Sequence, residues 1–235
     1  MSINKKNKLV VIIMGAPGAG KGTQAELLSE RLGLCYLETS KVLEEEFKQA
    51  EKGHSVKVKE KVYKISDEEN LWKEGKLCSP PFVTYLIKAK IKKLFEEGRN
   101  PLLAGSPRTL YEGKELVPFL KELYGAENIR IILLDIKPEE TIFRNSHRRI
   151  CELMRHPILY SEETKNLVLC PLDGSKLLRR KGLDDPETIK VRLEEYKNRT
   201  FPLIDYFEKE GLKVKKINGS PSPAVVFENV LKAVE

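Results

Sequence analysis

The residues best able to do chemistry in this chain are GAPGAGKGT, Gly15 to Thr23. Four residues lie between Gly15 and Gly20, and Lys21 follows directly. Glycines let a backbone curl until several N–H groups point at one anion. A helix opening at the lysine adds the partial positive charge of its N-terminus, and the lysine reaches outer phosphates as a point charge. The spacing alone is a weak signal, and a glycine-rich turn before a helix is the plain alternative. Context adds the weight. An apolar run, Leu9 to Met14, precedes the loop, and Lys21 to Leu32 follows with Leu27, Leu28 and Leu32 on one helical face, the order a polyphosphate-binding loop requires. The predicted phosphate contacts are Gly15, Gly18, Ala19, Gly20, Lys21, Gly22 and Thr23. The residue after the lysine is Gly22, with the hydroxyl of Thr23 one place later, so magnesium ligation in the common way is not available to the loop.

A second stretch, NPLLAGSPRT from Asn100 to Thr109, runs from an apolar segment into Arg108. The end of a strand beside a phosphate loop is where a metal-holding carboxylate is expected. Here that place is Ala104. The sequence thus raises the question of whether the chain transfers phosphate or only holds a nucleotide.

The elements that must position these residues alternate. Strands are predicted at Leu9–Met14, Cys35–Leu37, Leu102–Ala104, Ile129–Leu134 and Val214–Ile217. Helices are predicted at Lys21–Leu32, Ser40–Ala50, Pro80–Phe95, Tyr111–Leu123, Pro138–Arg148, Pro186–Glu210 and Pro223–Val234. Such alternation implies right-handed crossovers and a parallel sheet of about five strands covered by helices on both faces. Two stretches interrupt it. Glu51 to Gly75 is lysine-rich without a clear apolar period, and reads as a solvated face; Ile150 to Gly182 carries two cysteines and no sustained helical pattern.

Four segments beyond the loop carry a family resemblance. SPRT at Ser106–Thr109, FRNSHRR at Phe143–Arg149, LDDPETIKVRLEEY at Leu183–Tyr196 and INGSPSP at Ile217–Pro223 follow GAPGAGKGT in order. Together they resemble the adenylate kinases and related nucleoside monophosphate kinases over most of the chain. The resemblance implies a P-loop NTPase fold with an inserted monophosphate-binding segment and a lid. Its divisions would be core 1–38, insertion 39–75, core 76–148, lid 149–182 and core 183–235. It implies transfer of the terminal phosphate of ATP, with Mg2+, to a nucleoside monophosphate, AMP being the default acceptor.

The resemblance also assigns roles. Bringing two polyanions together demands that repulsion be cancelled, and arginine forks do this while aligning phosphate oxygens. Lys21 and Arg108, Arg148, Arg180 and Arg192 would carry the chemistry, with Arg108 on the acceptor phosphate. Arg179 or Lys181 competes for the role of Arg180. Arg144 would stack near the donor base; Thr39, Lys41 and Glu112 would face the acceptor. Four departures from the family pattern stand out, the S-T-G-D-x-x-R motif counting as one. Ala104 replaces the strand-end aspartate and Ser106 the phenylalanine of FPR. In the S-T-G-D-x-x-R motif, Lys41 replaces the aspartate and Glu44 the arginine, while Glu112 replaces an adenine-reading glutamine. Loss of a carboxylate that orients metal-bound water costs roughly 10–100-fold, which describes a slow enzyme and not a dead one.

In the lid, Cys151, His156, Cys170 and Asp173 resemble part of a zinc clasp, with Met154 at one expected ligand position. Two thiolates, an imidazole and a carboxylate suit tetrahedral Zn2+; a metal-free lid packed on apolar residues is the alternative. Composition fits an ordinary globular protein, with 40% hydrophobic and 33% charged residues over 235 positions. Four cysteines without a secretory leader, and no apolar run approaching a membrane span, predict a cytoplasmic protein without a disulfide framework. We expect a monomer whose partners are ATP and a monophosphate, with neither nucleic acid nor membrane. Two rivals stand beside this reading. One is a catalytically impaired nucleotide-binding protein on the same scaffold, motivated by Ala104 and Glu44. The other is a basic nucleic-acid binder, motivated by the net charge of +7 and the lysines at 52–64.

Overall fold

The computed structural model describes residues 8–50, 53–155, 157–179 and 184–235. The first half comprises β1 (Val10–Gly15), α1 (Lys21–Leu32), β2 (Cys35–Glu38), α2 (Thr39–Gln49), β3 (Ser55–Val58), β4 (Lys61–Lys64), α3 (Ile65–Lys73), α4 (Pro80–Glu96) and β5 (Pro101–Ala104). Then come α5 (Leu110–Tyr124), β6 (Ile129–Asp135), α6 (Pro138–Ser146), β7 (Arg149–Cys151), β8 (Pro157–Ile158) and β9 (Leu177–Leu178). The chain closes with α7 (Pro186–Glu195), α8 (Leu203–Lys209), β10 (Val214–Asn218) and α9 (Pro223–Val234).

The central sheet is parallel and runs in the order β10-β6-β1-β5-β2. Side chains alternate across it, and both faces are dry. Ile12, Leu103, Ile131 and Leu133 pack with α4, α5 and α8 on one face; Val11, Ile13, Leu102 and Ile132 pack with α1 and α9 on the other. β1 is buried over its whole length, which explains why its sequence is a continuous apolar run and not an alternating one. All five strands point the same way, so their carboxyl ends form one edge. In open α/β sheets that edge holds the ligand crevice, and both GAPGAGKGT and SPRT leave from it.

Two expectations need correction. The 51–75 stretch is not irregular: β3 and β4 form an antiparallel hairpin, and α3 follows. Its lysines alternate with Val56, Val58, Tyr63 and Ile65, which pack on the core. A period of two was present, but the lysine content hid it. The long helix expected at Pro186–Glu210 is broken. A π turn, Tyr196–Thr200, follows α7, marked by Phe201 N–H donating to Tyr196 O at 2.8 Å, and Pro202, which has no N–H, precedes α8. Among the described residues no helix is long and apolar enough to cross a membrane.

Candidate active site

The loop between β1 and α1 closes around its own lysine. Lys21 Nζ donates to Gly15 O at 2.7 Å and to Ala16 O at 2.9 Å. The loop is seated on α6. A Cβ added to Gly18 would lie 2.6 Å from Asn145 Nδ2, and Gly18 has φ of 84°, so a side chain there is excluded by both space and backbone. Asn145 is fully buried, donates to Thr141 O at 2.8 Å, and accepts from Arg148. The helix that leads into Arg148 is thereby tied to the loop.

Burial, then Arg108, Arg192 and Arg148 in that order, hold the Lys21 ammonium well below the ordinary lysine pKa. Those neighbours come from the β5–α5 turn, the end of α6 and α7, so the topology gathers on one loop three of the arginines singled out from the sequence. Each has an anion behind it. Asp184 lies 3.7 Å from both Arg148 Nε and Arg192 Nη1. Glu112 sits beneath the turn that carries Arg108, and burial raises its pKa against the pull of its hydrogen bonds. Burial also lowers the Arg108 pKa, while Glu112, Cys78, Glu38 and Tyr36 oppose that shift.

Arg108 lies flat on the end of β5. A Cβ on Gly105 would meet its Nη2 at 2.5 Å. The turn is fixed by Thr109 and Glu112, which cap α5 reciprocally: Glu112 N–H donates to Thr109 Oγ1 at 3.2 Å, and Thr109 Oγ1 donates to Glu112 Oε1 at 3.0 Å. Glu112 Oε2 also accepts from Ser106 Oγ at 2.8 Å and from Arg108 N at 3.0 Å. Ser106 and Glu112, two departures from the family pattern, are therefore partners of each other.

A cavity of about 700 Å³ runs from the loop outward. All the predicted loop contacts line it, as do Arg108, Arg144, Arg148 and Arg192. Lys41 and Glu44 line it as well. Lys41 Nζ is 3.2 Å from Glu38 Oε2 and lies over the Tyr36 ring. Thr39 and Glu112 are buried and outside the lining. Asp135 turns aside to Lys216 at 3.0 Å. Arg144 donates to Ser220 O at 3.1 Å and pairs with Glu140 at 2.5 Å. Arg180, with its competitor Lys181, lies outside the described residues, as does His156.

Several lining residues were not expected from the sequence. Phe143, His147 and Tyr160 stack beside Arg144, with ring centroids 4.3 Å apart for Phe143 and His147 and 4.5 Å for His147 and Tyr160. Phe143 and His147 are four residues apart on one helical face, a signal that was available. Tyr160 comes from the segment after β8, where no pattern marks it. Asp184, behind the lining, was visible only as part of a motif, and its role depends on Arg148, distant in sequence, as well as on Arg192 in the helix that follows it.

A separate, three-stranded sheet has the order β8-β7-β9. Ligand atoms of Cys151, Cys170 and Asp173 lie within 4.8 Å of one another. Cys151 Sγ donates to Asp173 Oδ2 at 3.0 Å, and Asp173 Oδ1 accepts from Ser175 N at 2.9 Å and Ser175 Oγ at 2.7 Å. These bonds hold the Asp173 carboxyl well below the usual carboxylate range.

The family model described as Adenylate kinase matches residues 13–212 of the chain. An adenylate kinase of Caldicellulosiruptor bescii is 36% identical, covering 95% of this chain and 98% of the relative. One of Chlamydia trachomatis serovar D is 30% identical over 97% of this chain and 91% of its own length. One of Methanothrix thermoacetophila is 30% identical over 95% and 97%.

Two outcomes follow from the charge arrangement. A polyphosphate entering beside Lys21 restores its proton affinity, so ATP binding at mildly alkaline pH takes up protons. Calorimetry in two buffers of different ionisation enthalpy reads this, and Lys21→Met abolishes it along with most of the affinity; proton release by the unmodified protein would contradict it. Asp184→Asn loosens Arg148 and Arg192 together and lowers kcat on the order of 10–100-fold with little change in KM for ATP. Steady-state kinetics of the correctly folded variant would show an unchanged kcat if Asp184 did not position them.

Proposed function

The chain belongs to the adenylate kinase family, and from that premise we propose that it transfers the terminal phosphate of ATP to a nucleoside monophosphate, with AMP the first acceptor to consider. One observation carries the reading at the level of residues: Arg108, Arg148 and Arg192 line one cavity together with Lys21 and the phosphate loop. A protein that only held a nucleotide needs the loop; converging guanidinium groups serve a phosphoryl group in transit.

The roles we assign follow the geometry. The loop amides and Lys21 hold the donor polyphosphate. Arg144 and the Phe143–His147–Tyr160 cluster receive the donor base. Arg108 receives the acceptor phosphate, with Lys41 beside it. Arg148 and Arg192, held by Asp184, close on the transferring group. Residues 39–75 serve as the acceptor-binding insertion and 149–182 as the lid. The bound Mg2+ of an ATP complex neutralises phosphate charge. The donors near the loop suit this hard, oxygen-seeking cation: the Thr23 hydroxyl and the Glu38 carboxylate line the cavity there. For the lid we propose Zn2+ between Cys151, Cys170 and Asp173, whose grouping supports a metal as well as the hydrogen-bonded clasp.

Glu44 works against an acceptor phosphate if it faces one. A coupled assay over the common nucleoside monophosphates is expected to give turnover with AMP, and Glu44→Arg to lower its KM on the order of tenfold, a hydrogen bond to a charged group contributing about 1.5–3 kcal/mol. No turnover with any acceptor would end the kinase reading. Elemental analysis of protein purified without chelator is expected to give about one zinc per chain, lost in Cys151→Ser together with several degrees of Tm. Metal-free protein with an unchanged Tm in that variant would leave the clasp as hydrogen bonds alone.

A further inference from the structure

β5 ends at Ala104, and Ala104 Cα is in register with Ile13 on one side and with Glu38 on the other. Register partners in a parallel sheet project to the same face. Two residues back in the same row, Tyr36 and Leu102 both pack in the cluster beneath α1, so Glu38 and Ala104 project toward the loop's side of the sheet. Both line the cavity together with Gly22 and Thr23. The strand end also touches the loop directly: a Cβ on Gly22 would lie 3.6 Å from the Tyr36 hydroxyl.

Phosphate loops of this kind work with a carboxylate at the neighbouring strand end. Ala104 offers a methyl group there. We propose that Glu38, one strand over, supplies the missing carboxylate and accepts hydrogen bonds from water on the magnesium of bound ATP. This rests on the kinase reading above. Adjacent strands are about 4.8 Å apart, and a glutamate has one methylene more than an aspartate. Magnesium keeps several waters, so the carboxylate needs to reach the hydration shell and not the ion.

The surroundings of Glu38 suit the role. It accepts from Ser40 Oγ at 2.8 Å and pairs with Lys41 at 3.2 Å. Lys41 is 62% exposed at its side chain, and an exposed pair of this kind is weak, so it yields to a stronger cation. Other carboxylates are placed less well. Asp135 does not line the cavity, Glu26 is an exposed residue of α1, and Glu44 lies further along α2.

The test separates metal from nucleotide. ATP is titrated calorimetrically into the full chain with and without Mg2+, for the unmodified protein, Glu38→Gln, and Glu38→Gln with Ala104→Asp. Mn2+ binding to each protein–ATP complex is followed by electron paramagnetic resonance. In Glu38→Gln the gain in affinity on adding metal is expected to shrink on the order of tenfold, with metal-free ATP binding and Tm unchanged. Ala104→Asp restores the gain. A metal-dependent gain equal in the unmodified protein and Glu38→Gln overturns the assignment and leaves the kinase reading standing. A loss that Ala104→Asp does not restore also overturns it, assigning Glu38 to anchoring Lys41 and α2. Absence of ATP heat from every protein, the unmodified one included, sinks the kinase reading itself.

Discussion

The crowding of positive charge on Lys21 governs this structure. Burial first, and then Arg108, Arg192 and Arg148, depress its affinity for a proton, and like charges in a cavity repel unless an anion lies between them. The anions the protein supplies are set behind the cations. Asp184 backs Arg148 and Arg192, while Glu112 lies under the turn carrying Arg108. They hold the guanidinium groups in place without filling the space in front of them. A polyphosphate that enters therefore meets oriented donors, and little reorganisation is left for the reacting complex. Lys21 meanwhile rests on two loop carbonyls, weak partners that a phosphate oxygen replaces.

Such an arrangement can be held only by a rigid frame, because its members come from positions 21, 108, 148 and 192 of the sequence. The parallel sheet provides it. Its five strands expose their carboxyl ends along one edge, and the segments that follow inherit that position. The buried contact of Asn145 with Gly18 locks α6 to the loop, and the Thr109–Glu112 cap locks the turn before α5. Each device is local, yet each fixes one cation relative to a backbone that never moves far from β1.

Much of this was legible in the sequence where the signal was itself local. The loop is a contiguous pattern between a strand and a helix, and the sheet follows from alternation of apolar runs with helical spacing. The β3–β4 hairpin was missed because lysines occupy its outward positions, although Val56 and Val58 keep the inward ones. The break between α7 and α8 was missed because the apolar period runs on through Tyr196 to Phe207, and the π turn leaves that period nearly undisturbed. Residues whose meaning depends on tertiary register were invisible. Glu38 reads as an ordinary helix-preceding carboxylate until β2 is set beside β5, and Tyr160 acquires partners only when the segment after β8 meets Phe143 and His147.

The departures around the acceptor are better understood as one change than as several. The family pattern implied by the resemblance has a serine, an aspartate and an arginine at the places of Glu38, Lys41 and Glu44. Here the carboxylate stands at 38 and the cation at 41, each three residues earlier. Three residues of helix advance about 4.5 Å, close to the spacing of about 4.8 Å between strands. Moving a carboxylate by that amount toward the sheet sets it beside the strand end where Ala104 has lost one, and the cation that follows it keeps its neighbour at 3.2 Å. A decayed site would lose charges without order. This one retains a negative and a positive group in the same order, at the end of β2 and in the first turn of α2, with Glu44 one helical turn further on and also lining the cavity.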